Sequence, residues 1–136
     1  MKKVVGVILL IIVIVAISLF IFSNDSNDFS NITKIEYQKY NQTKDKYGEL
    51  KVIEDDETLS QLTKLFNKAT HQNFEYNKAY HDDIKLTLLY NGETSETVRI
   101  WKNFGKDYDL LESETRDGIY EIKNNNSRES LREILK

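Results

Sequence analysis

The hydrophobic pattern of this chain falls into three regimes. From Val4 to Phe22 it is continuous, VVGVILLIIVIVAISLFIF, 19 residues without a charge. At helical rise that run covers roughly 28 Å, close to the hydrocarbon thickness of a bilayer. Next comes SNDSNDFSN, Ser23–Asn31, polar and aperiodic, which reads as a flexible tether. From residue 32 onward the pattern is that of a folded domain.

Within that domain, Ile35 and Tyr37 alternate with polar residues, predicting a strand over 32–40. A polar turn at 41–46 leads to a second strand over 47–53, with Leu50 and Val52 as its apolar side. The period then becomes helical. Leu59, Leu62, Leu65, Phe66 and Ala69 share one face, with Asp55 or Asp56 as the N-cap, predicting a helix over 56–70. A polar, aromatic-spotted connection covers 71–82. Alternation resumes at Ile84, Leu86 and Leu88, and Asn91-Gly92 marks a hairpin turn, since both residues tolerate positive φ. The return strand is expected over 94–101, with Val98 and Ile100 on one face and Trp101 on the other. Two more strands fit 108–111 and 118–122. A C-terminal helix capped at Asn126 or Ser127 carries Leu131, Ile134 and Leu135. The order β-β-α-β-β-β-β-α predicts an α+β domain over 32–136, an antiparallel sheet with two helices on one face.

Charge orients the apolar run. Lys2 and Lys3 precede it and the next basic residue is Lys34, beyond Asp25 and Asp28. The positive-inside bias puts residues 1–3 in the cytoplasm and the domain outside. The apolar run exceeds the usual core of a cleaved signal and ends in Leu19, Phe20, Ile21 and Phe22, with no small-residue cleavage pattern. It reads as a retained single-pass transmembrane helix in the cell membrane.

Composition narrows the function classes. Setting aside Lys2 and Lys3, 17 Lys and Arg face 22 Asp and Glu, a balance of −5. A mildly acidic domain without a basic cluster does not suit nucleic acid. The absence of cysteine excludes a disulfide framework, a thiol nucleophile and a lipid-modified N-terminal Cys.

The run Asp83-Ile84-Lys85-Leu86 with Leu88, Tyr90 and Asn91-Gly92, then Val98, Ile100-Trp101, Tyr120 and the Leu131–Leu135 helix, resembles a group of small bacterial extracytoplasmic domains. These are attached to Gram-positive-type membranes by an N-terminal helix or a lipid. The resemblance covers about residues 49–136 and implies no catalytic residues. Its lipid-anchored members carry a Cys that this chain lacks.

Candidate chemistry is sparse. His81-Asp82-Asp83, with His71 ten residues earlier, is the one cluster that suggests a metal or a small hydrolase site. No helical His-x-x-x-His spacing supports it, and a solvated loop leading into a strand is the preferred reading. Glu54-Asp55-Asp56-Glu57 lacks the alternating ligands and glycine of a calcium loop and suits helix capping. No nucleophile elbow or phosphate loop occurs, so no catalytic residue, metal or cofactor is assigned.

The aromatics are more suggestive. Phe74, Tyr76 and Tyr80 fall in the 71–82 connection, and Trp101, Phe104 and Tyr108 follow the hairpin. Such residues offer large contact areas with polar tips, as binding surfaces do. The expected function is a non-enzymatic, membrane-tethered binding module. Its partner would be an envelope or secreted protein or another envelope component, in an immunity, inhibitor or accessory-subunit role. A small surface hydrolase or metal-dependent enzyme near His81, Asp82 and Asp83 is the alternative.

Overall fold

The computed structural model describes residues 28–91 and 93–136. Val4–Phe22 and the first part of the tether lie outside the described residues. Among the described residues, no helix is long and apolar enough to cross a membrane.

The elements are β1 (Ile32–Asn41), β2 (Lys46–Tyr47), β3 (Lys51–Ile53), α1 (Asp56–Asn67), β4 (Thr70–Gln72), β5 (Ile84–Tyr90), β6 (Thr94–Gly105), β7 (Tyr108–Ser113), β8 (Ile119–Ile122) and α2 (Asn125–Ile134). They form an α+β domain with an eight-stranded sheet in the order β2-β1-β5-β6-β7-β8-β4, with β3 also paired to β1. Every pairing is antiparallel.

Register sorts the side chains into two faces. Ile35 stands opposite Leu88, Leu86 opposite Val98, Ile100 opposite Leu111, and Leu111 opposite Tyr120. With Leu59, Leu62, Leu65 and Phe66 of α1 and Leu131 of α2 they make one buried core, so both helices cover the same face. Asp55 caps α1 by accepting a hydrogen bond from Thr58 N at 2.8 Å.

Several expectations need correction. The strand expected over 47–53 is two short strands separated by 48–50, and β3 turns the opposite way. Ile53 pairs with core residue Ile35, whereas Val52 pairs with Glu36. Val52 therefore stays about half exposed, because register overrides its apolarity, and Leu50, in the connection before β3, is about half exposed as well. The first helix stops at Asn67, and Thr70–Gln72 pairs with β8 as an unanticipated edge strand. The cap of α2 is Asn124, whose side chain accepts from Ser127 N, rather than Asn126 or Ser127.

The fold also begins before residue 32. Phe29, assigned to the tether by its polar neighbours, is fully buried against the rings of Phe66 and Tyr120. Asn67 Oδ1 accepts a hydrogen bond from its main-chain N–H at 2.9 Å. Arg116 stacks over its ring, donates to the Asp28 carbonyl, and pairs with buried Glu96 at 2.6 Å. Ser113 and Tyr90 also donate to Glu96. Burial opposes ionisation of Glu96, but the hydrogen bonds from Arg116, Ser113 and Tyr90 outweigh it and lower its pKa.

Candidate functional site: an aromatic cluster on the open sheet face

The sheet face away from the helices carries Trp101, Leu110 and Ile119 as a second, smaller core. It is covered by the segment from residue 73 to 83, which crosses back from the β4 edge to β5. Tyr76 and Phe104 pack directly on these three residues. The expected binding residues come together here. Ring centroids lie 5.0 Å apart for Phe74–Tyr76, 5.2 Å for Tyr76–Phe104, 6.1 Å for Tyr80–Phe104 and 6.2 Å for Phe104–Tyr108. Trp101 sits beneath them, only 5% exposed, while Phe74 and Tyr80 are 45% and 48% exposed. The six aromatics thus form one continuous cluster with a buried base and an exposed rim.

A bulge in β6 aims part of this cluster. Trp101 pairs with Leu110 and Gly105 with Tyr108, so four steps along β6 match two along β7. Asn103 absorbs the difference with φ at 51°, a conformation that Asn tolerates better than most residues. Its N–H donates to Asp109 at 2.7 Å, and its side-chain oxygen accepts from Arg128 and Arg132 of α2. Fully buried Asp109 also pairs with both arginines, so the helix face fixes a bend displayed on the other side. Two residues later, a side chain on Gly105 would overlap the Tyr108 ring, which requires glycine at that close approach.

The covering segment is tied down at both ends. Tyr76 donates to Glu121 at 3.3 Å, and Lys78 pairs with Glu112 while lying over the Trp101 ring. A hydrogen bond with Tyr108, then burial and Glu121, push the Tyr76 hydroxyl up to about 12. Trp101 Nε1 donates to the Tyr80 carbonyl at 3.1 Å.

His81, Asp82 and Asp83 form the C-terminal fastening of this segment. Asp82 is 3% exposed, so the expectation of a solvated loop fails at this residue. Its carboxylate accepts from Tyr47 at 2.8 Å and from Arg99 at 3.2 Å, and His81 Nδ1 lies 2.8 Å away. Arg99 also pairs with Glu114 at 2.8 Å. Burial, followed by the Asp82 hydrogen bond, pushes the Tyr47 hydroxyl up to about 12. The His81 ring stacks on Tyr40 with centroids 3.7 Å apart. Asp83 accepts from the Lys102 N–H at 2.7 Å, and its own N–H and C=O join Ile100 and Tyr40.

His71 is not part of this group. It sits in β4, against Tyr120 and the Asp117 carbonyl. Among the described residues, no group of three or more His, Asp or Glu side chains is arranged to hold a metal ion. Sequence patterning gave no signal for Tyr47, Lys78, Arg99 or Glu121, each a polar residue in a strand or loop whose role depends on distant partners.

Compared with known proteins, the chain matches no protein family, no curated protein and no solved structure.

Proposed function

We propose that this protein is a non-enzymatic binding module, held in the cell membrane by Val4–Phe22 with its domain outside, that engages an envelope or secreted protein through the Phe74–Tyr80–Phe104 surface. The observation that carries the reading is the convergence of six aromatics, two with half-exposed rings, on the face that the helices leave open. Burying such rings against a partner yields large apolar contact area at small entropic cost. The two aspartates at the C-terminal end of the covering segment are engaged in fastening it: Asp82 on Tyr47 and Arg99, Asp83 on Lys102. The extracytoplasmic placement rests on the apolar run, the two leading lysines and the resemblance to small envelope domains.

The shape of the surface favours a protein over a linear glycan. Neighbouring rings are inclined by 39° to 88°, so they offer knobs and edges rather than a flat stacking platform. A surface of this kind fits side chains of a protein partner.

The test is retention of an envelope or secreted protein by the full chain, immobilised in detergent. The expected result is a discrete protein that the Phe74→Ser/Tyr80→Ser variant fails to retain. Equal retention by both, or hydrolytic activity without a retained protein, would overturn the reading.

A further inference from the structure

We infer that the aromatic surface is held at the membrane-distal end of the domain, and that it fits a protein arriving from outside rather than one embedded alongside in the same membrane. This inference rests on the membrane placement proposed above.

Strand register defines two ends of the sheet. Ile32 pairs with Tyr90, and Tyr90 with Thr94, so the chain joins the domain at the Thr94 end of β6. Phe104 and Gly105 close the other end of that strand, where Gly105 pairs with Tyr108. β6 is 12 residues long, which separates its ends by about 35 Å at strand rise.

The junction has little slack. Phe29 is locked in the core, and Arg116 grips the Asp28 carbonyl from a turn at the same end. Only the six residues from Ser23 to Asp28 separate the apolar run from this anchor. Fully extended, they reach about 20 Å, less than the length of β6. The turn at Asn91–Glu93 therefore faces the bilayer, and the turn at Lys106–Asp107, beside Phe104 and Tyr108, points away from it. A partner that meets the aromatic rim does so beyond the height reached by the tether. An inhibitor or immunity role against an incoming protein suits this placement better than lateral contact with a membrane subunit.

The chain has no cysteine, so single cysteines can be placed freely. Glu93→Cys and Asp107→Cys lie at exposed positions in the two turns. The full chain carrying a donor dye at one or the other is reconstituted in vesicles with acceptor-labelled headgroups. Several-fold stronger transfer is expected from position 93 than from position 107. Equal or reversed transfer from a chain that resists carbonate extraction would overturn this inference alone. Release of the chain by carbonate would overturn the membrane placement, and this inference with it.

Discussion

Trp101 donates its indole N–H to the main-chain oxygen of Tyr80 at 3.1 Å, joining the central strand β6 to the segment that covers the open sheet face. One residue thereby supports the cluster twice, as its buried floor and as a clasp on its rim. Trp101→Phe keeps an apolar ring but removes the donor and leaves a smaller filler. A loss of about 1–3 kcal/mol is expected, from the unmade hydrogen bond and the imperfect fill. Amide exchange should accelerate in residues 73–83 while that of β5 and β6 stays slow.

At the other fastening, Asp82→Asn removes the charge beside Tyr47 while keeping a side chain of the same shape. Asp82 raises the Tyr47 pKa and Arg99 lowers it, and Tyr47 starts at about 12. With the carboxylate gone and Arg99 retained, the Tyr47 hydroxyl should ionise at lower pH. Residue-resolved NMR titration of the tyrosine ring signals checks this, with an unchanged midpoint for Tyr47 as the adverse result.

Phe29 sets the boundary of the domain. Phe29→Ala empties a fully buried ring site between Phe66, Tyr120 and the Arg116 guanidinium. A destabilisation of about 3–5 kcal/mol is expected by denaturant unfolding. A change below about 0.5 kcal/mol, ordinary for a surface position, would show that the chain is a tether through residue 31.

The Glu96 site supplies a pH dependence of defined sign. Its folded-state pKa lies below the ordinary 4.5, so folding favours the carboxylate. The associated stability is complete above about pH 4.5 and is lost as pH falls through the lower folded-state value. Glu96→Gln should therefore be less stable than the parent at pH 7, and the gap should narrow as thermal unfolding is followed down to pH 3. A gap that widens in acid would contradict this assignment.

The core of the fold was legible in sequence where apolar residues repeat with a clear period. Ile84, Leu86 and Leu88, the pair Val98 and Ile100, and the α1 face from Leu59 to Phe66 all point where their spacing implies. Short edge elements were not legible. In β3, register turns Val52 outward and Ile53 into the core, and β4 is a three-residue strand that exists through pairing with β8. Phe29 was hidden by polar neighbours because its burial depends on Phe66 and Tyr120, far away in sequence. The clustering of the six aromatics likewise depends on tertiary structure: the bend at Asn103 is secured by Asp109 and by two arginines of α2. Residue type suggested an interest in these rings, and only the fold brings them into one surface.

The most direct measurement of the binding role is site-resolved photo-crosslinking of the full chain in intact cells. A photoreactive residue replaces Phe74 or Tyr80 in the cluster, or Leu50 or Val52 at the sheet edge, beside and within β3, where exposure is similar at 45%, 48%, 52% and 49%. The matched exposure makes the two edge positions a control for random encounter. The expected result is a discrete protein adduct from positions 74 and 80 and none of the same size from positions 50 and 52. Adducts from the edge positions alone, or an identical pattern from all four, would contradict the assignment of the aromatic cluster as the contact surface.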